Sequence, residues 1–195
     1  MTLWAISDLH LGHANILNFT HPKDFTKRIR PFETVHEMHN VIIERWNSKI
    51  KKDDTVYILG DLSFSRQAYD EIFYKLEGKP HLVLGNHDKF SRFHVDDFLS
   101  ISSLIFKDIR LHNGKKVPVC FSHAPIHASS IYPRAVINFH GHTHTEFVVT
   151  DNKEKDLRYI NVSCEAVDFY PVDVIEAVSN QLQHKDFPYD PYERY

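Results

Sequence analysis

At 195 residues the chain has the length of about one domain, and a domain of that size buries about 70% of its unfolded surface without help from disulfides. With 42% hydrophobic and 25% charged residues it is not a disordered, collagenous or coiled-coil chain. A formal charge of −3 gives no overall pull toward nucleic acid or a membrane, whereas fifteen histidines suggest that imidazole is being used.

In chain order, the first predicted strand is the short apolar run at residues 3–6, which ends at Ser7 and Asp8. Residues 13–32 have no clean periodicity; they hold Lys23, Lys27, Arg28 and Arg30 and read as a solvated loop. A helix follows at 34–50, where Val35, Met38, Ile42, Trp46 and Ile50 form one stripe and Thr34 with Glu37 forms a capping box. His36 and His39 are expected on its solvated side. Strands at 55–59 and 81–84 flank a weaker helical pattern at 65–77, with Gly78 as its stop. Further strands are predicted at 99–106, 117–121, 135–139, 147–150 and 159–162, then a helix at 173–183 and an extended tail over 187–195. The order is that of an α/β domain whose later part is expected to be antiparallel. With no repeat or linker, residues 1–195 read as one domain. Cys120 and Cys164 sit in apolar runs and read as buried thiols of a reducing compartment. The first residues lack a basic segment and a long apolar core, so a cytoplasmic chain with no membrane partner is expected.

Five of the predicted strands run into Asp, Asn or His. They lead to Asp8-Leu9-His10, Gly60-Asp61, Gly85-Asn86-His87-Asp88, Ser122-His123 and Gly141-His142-Thr143-His144. Ligands of α/β sheets bind beyond the carboxyl ends of strands, where such loops converge. Carboxylates, an amide oxygen and several imidazoles without a thiolate suit manganese, iron, zinc, nickel or cobalt. Seven ligating groups (Asp8, His10, Asp61, Asn86, His123, His142 and His144) exceed the needs of one tetrahedral ion and suit two ions sharing a carboxylate. His13 and His127, each within four residues of a ligand candidate, and Arg30 are further candidates for touching substrate.

Taken together, these five blocks resemble the ordered signature of the calcineurin-like metallophosphoesterase superfamily, in its compact bacterial and phage form. The resemblance spans residues 8–144 with every block present. It implies a four-layer α/β/β/α sandwich of two mixed sheets flanked by helices, with a two-metal site at the strand ends. It also implies that Asp8, His10 and His144 hold one metal and Asn86, His123 and His142 the other, with Asp61 bridging and His87 as the acid. Manganese is the expected metal.

The implied chemistry is attack on a phosphoester by a hydroxide held between the metals, with His87 protonating the leaving oxygen. The second block departs from that of the superfamily's protein phosphatases. It continues Leu62-Ser63-Phe64-Ser65-Arg66, with Phe64 where an acid would stand, and the third block ends in Asp88 rather than Glu. A protein phosphatase is therefore disfavoured, and either Asp88 or a backbone carbonyl is left to orient His87. The expected activity is hydrolysis of small or nucleotide-like phosphodiesters. A nuclease or a nucleotide pyrophosphatase on the same centre is the alternative, with nucleic acid entering only as substrate. A non-catalytic scaffold is a weaker rival because His87 is present. Compact relatives often pair, which makes a homodimer an expectation without an assigned surface.

Overall fold

The structure is a computed structural model that describes residues 1–131 and 134–188. Its first sheet contains β1 (Leu3–Ile6), β4 (Thr55–Ile58), β5 (Lys79–Val83), β6 (Ser100–Ser102) and β11 (Val172–Asp173), in the order β11-β1-β4-β5-β6. All neighbours are parallel except β11, which runs antiparallel to β1. The second sheet has the order β10-β9-β8-β7, from β7 (Leu104–Arg110), β8 (Lys116–Ser122), β9 (Ile137–His140) and β10 (Tyr159–Asn161). The mixed α/β architecture with two mixed sheets is as the sequence predicts.

Strand alternation sets the layers. Ile6, Val56, Ile58 and Leu82 pack on one side of the first sheet with Met38, Ile42 and Trp46 of α1 (Val35–Lys49) and Tyr69 and Ile72 of α2 (Arg66–Ile72). Their neighbours Ala5, Tyr57, Leu59 and Val83 face Val117, Val119, Phe121, Ile137 and Phe139 of the second sheet. Val174 and Val178 of α4 (Val174–Gln183) enter this inter-sheet core. On the far side of the second sheet, Cys120, Ala135 and Tyr159 meet Ile131 of the four-residue helix α3 (Ala128–Ile131). The fourth layer is thus a small cluster, among the described residues, rather than a full helical one.

Several sequence expectations are corrected. The run 99–106 splits into β6 and β7, which belong to different sheets. Residues 147–150 form no strand, only a bridge from Val149 to Lys155. Most of the second sheet is parallel, because β8 reaches β9 through α3 and β9 reaches β10 over the long loop 141–158, each a crossover. Only β7 and β8 form the expected antiparallel pair. Residues 13–32 hold a 3-10 turn (Ala14–Asn18) and a hairpin of β2 (Thr20–His21) and β3 (Asp24–Arg28). His39 is buried and its Nε2 accepts the Gly12 N–H at 3.0 Å, whereas His36 is exposed. Residues 189–195 of the expected extended tail lie outside the described residues. Both cysteines are buried and free, and no helix among the described residues is long and apolar enough to cross a membrane.

Candidate metal centre

The carboxyl ends of β1, β4, β5, β8 and β9 meet at one edge of the sandwich. Backbone hydrogen bonds continue past the strand ends: Asp8 N–H donates to Gly60 O (3.0 Å), His10 N–H to Asp61 O (2.9 Å) and Gly141 N–H to His123 O (2.7 Å). Ser7 N–H donates to Val162 O and Val162 N–H to His140 O, which joins the two sheets beside the cluster. Asp8, His10, Asp61, His142 and His144 all have left-handed backbone, with φ from 49° to 66°. L-residues enter that region at a cost, and such positions concentrate at functional sites.

The glycines of the blocks make room for the carboxylates. A Cβ on Gly85 would collide with Oδ1 and the backbone nitrogen of Asp61, and one on Gly141 with Ser7 Oγ and Asp8 Oδ2. Gly60 has φ +87° and lies so close to Gly85 and His123 that a Cβ would come within 2.6 Å of each.

Among the described residues, two groups of side chains could each hold a metal ion: Asp8 with His10 and His144, and Asp8 with Asp61 and His123. Asp8 is common to both, and Asp61 of the second group also faces the first, its Oδ2 3.7 Å from His10 Nε2 and its Oδ1 3.6 Å from His123 Nε2. Asn86 Oδ1 and His142 Nδ1 stand 2.9 and 3.2 Å from the same His123 nitrogen.

The tautomers follow from the remaining hydrogen bonds. His123 Nδ1–H donates to Leu59 O (2.8 Å) and His144 Nδ1–H to Glu165 Oε1 (2.9 Å), so each turns an Nε2 lone pair toward the cluster. His10 Nδ1 pairs with His13 Nδ1 at 3.1 Å. His10 Nε2 and Asp8 Oδ1 are buried with no hydrogen-bond partner and stand 3.7 Å from each other. Acceptors crowded together and left unpartnered are what a cation would satisfy, and the donor set fits a divalent ion of borderline hardness.

The electrostatics agree. Burial by itself would raise the pKa of Asp8, but the surrounding His10, His144 and His123 outweigh it and hold the carboxyl well below the usual range. Burial, reinforced by the Arg30 charge, pushes His10 down. Burial and its cationic neighbours bring His13 to about 4.

The other expected residues fall as follows. His87 is exposed; its N–H donates to Asp61 Oδ1 (3.0 Å), and its ring packs 5.0 Å from that of Phe64 and 6.3 Å from that of His10. Asp88 does not orient it, because its carboxylate accepts the N–H groups of Gly85, Asp61 and Leu62 and ties the ends of β4 and β5 together. His13 lies against the cluster, stacked on Phe64 at 3.9 Å. His127 is exposed and hydrogen-bonded to Ser129. Arg30 is 0% exposed, which removes it from any substrate. It donates to Glu165 Oε1 (2.6 Å) and to the carbonyls of Asp8 and Leu9, bracing the first ligand loop from inside.

Glu165 is the residue that the sequence reading missed. Its side chain is 1% exposed and links Arg30 to His144. Burial would raise its pKa, yet Arg30 and His144 bring it down to about 2. The signal was available: Glu165 follows strand β10 as the other polar residues follow theirs.

Comparison with known proteins adds the family. The chain is 31% identical to the uncharacterized protein MJ1445 of Methanocaldococcus jannaschii over 183 residues, 87% of this chain and 85% of that one. It belongs to the same family as that archaeal protein. The Gene 66 protein of Mycobacterium phage D29 is 27% identical over 93% of this chain and 97% of its own. Among solved structures, the protein of unknown function AQ665 from Aquifex aeolicus superposes with a TM-score of 0.65 at 26% identity, covering 92% of this chain and 98% of its own. No protein-family model matches the chain.

Proposed function

We propose that the protein is a metal-dependent phosphoester hydrolase that acts on small or nucleotide-like phosphodiesters. The observation that carries this reading is the acceptor crowding around Asp8, His10 and His123, with two of these atoms buried and unpartnered. In it, Asp8, His10 and His144 hold one divalent ion and Asn86, His123 and His142 a second, with Asp61 between them. Manganese is expected first, with iron, zinc, nickel or cobalt as alternatives. Two ions held by these residues would supply positive charge for the phosphate oxygens and lower the pKa of a water.

The chain supplies the rest. His87, exposed beside His10, donates the proton that the departing alkoxide needs. Its backbone bond to Asp61 fixes the acid to the same carboxylate that faces both halves of the cluster. Phe64 packs against His87, His10 and His13 and limits where the imidazole can point. Arg30 is locked in the core and donates no hydrogen bond to a phosphate oxygen, so a doubly negative monoester lacks that partner and the singly charged diester is favoured.

The test is to strip the protein of metal, restore manganese and compare bis-p-nitrophenyl phosphate with p-nitrophenyl phosphate. Manganese-dependent cleavage, faster for the diester and lost by more than about 100-fold in Asp61→Asn, is expected. A protein that binds the metal and hydrolyses neither ester would overturn the reading.

A further inference from the structure

Alongside the cluster runs a groove of about 450 Å³ between the β2–β3 hairpin and the loop after β9. His144 belongs to both the groove lining and the first group of candidate metal ligands. A substrate whose phosphorus lay at the cluster would have this groove open to one of its substituents. The volume falls within the roughly 300–1,000 Å³ of ligand pockets.

Its two walls differ in chemistry. One carries Phe19, Pro22 and Ile29; Phe19 is 46% exposed and meets His13 edge-on at 5.9 Å. Phe19 is fixed at both backbone ends, its N–H donating to Ile16 O and its O accepting from Ile29 N–H. The other wall carries Thr143, Thr145 and Glu146. Asn161 Nδ2 holds that wall by donating to Thr143 Oγ1 (3.1 Å), His144 O and Glu146 O (both 2.9 Å).

An exposed aromatic ring in a groove that also carries threonine and glutamate side chains suits a flat heterocycle with polar edges. Glu146, the one acidic residue among the described residues of the lining, gives the groove no complement for a second phosphate. We propose that this groove is the subsite for a nucleoside carried on the substrate phosphate, with its base stacked on Phe19. The proposal rests on the hydrolase reading for the position of the phosphate, and its test does not require turnover.

Calorimetric titration of the full chain with manganese present compares thymidine 5′-monophosphate with methyl phosphate. With base–aromatic stacking, the nucleotide is expected to bind about 5- to 150-fold tighter. Phe19→Ala should remove that advantage and leave methyl phosphate unchanged, while Phe19→Trp should keep it. Equal affinities in the wild type, or a nucleotide preference untouched by Phe19→Ala, would overturn the proposal. If p-nitrophenyl esters resist hydrolysis while the Phe19-dependent preference persists, the hydrolase reading fails and the subsite stands. If the esters are cleaved and the preference is absent, the subsite fails alone.

Discussion

At the scale of single residues, the proposed site gives His87 and Glu165 different tasks. His87 is exposed and tied to Asp61 through its backbone, so its imidazole is free of the ligand set. His87→Asn should keep manganese affinity and lose about 10²- to 10⁴-fold in kcat on a diester with an alkyl leaving group. The same variant should lose far less on a p-nitrophenyl ester, whose leaving group needs no proton; equal losses on both would remove the acid role. Glu165 instead acts through His144, whose pKa it raises against the effect of burial. Glu165→Gln should weaken manganese binding about 10- to 100-fold in an equilibrium titration, because a neutral amide replaces the charged acceptor that orients the imidazole and raises its basicity. It also leaves Arg30 without its buried counter-charge, a change worth about 3–5 kcal/mol. The folded pKa of Glu165, about 2, lies below its ordinary 4.5. Its stabilising effect is therefore full above about pH 4.5 and is lost as the pH falls toward 2. Urea midpoints of wild type and Glu165→Gln should accordingly converge as the pH is lowered through that window.

Among the elements, the strand ends depend on close backbone contacts that only glycine permits. Gly85→Ala places a methyl against the Asp61 carboxylate and backbone, which cannot move without breaking the Asp88 bridge between β4 and β5. It should cost about 1–3 kcal/mol in chemical denaturation and abolish manganese binding. At Gly114, by contrast, a Cβ meets nothing within 4 Å, so alanine there costs only the strain of φ +84° and leaves metal binding intact. The sequence made most of this legible because strands β1, β4, β5, β8 and β9 are short apolar runs with polar punctuation, and α1 carries both a stripe and a cap. Thr34 Oγ1 accepts the Glu37 N–H as expected, although Glu37 reaches back to Glu33 N–H instead of Thr34. What stayed hidden was non-local. Ser103 looks like part of one strand until the run is divided between two sheets. The hairpin at 20–28 buries little of itself, so no alternation marks it. Arg30 looks solvated until Glu165, 135 residues away, accounts for its charge.

Across the whole molecule, the candidate ligands come from both sheets. Asp8, Asp61 and Asn86 follow strands of the first, whereas His123, His142 and His144 follow strands of the second. The inter-sheet core holds the two halves together with stacked rings, Tyr57 on Phe121 at 4.5 Å and Phe121 on Phe139 at 5.2 Å. A metal bound at the edge would bridge the same halves and would be lost when they separate. Binding should therefore appear as global stability, not merely as local ordering. Manganese at a hundredfold excess over its Kd should stabilise the fold by about 2.7 kcal/mol. For a domain of this size that corresponds to a rise in Tm of roughly 5–10 °C. Differential scanning calorimetry with manganese, and again after chelation, measures it. Asp61→Asn should erase most of the rise, because Asp61 faces both His10 and His123. Ser129→Ala, outside the cluster, should leave it unchanged. A rise that survives in Asp61→Asn would place the metal elsewhere on the protein and separate the acceptor cluster from metal binding.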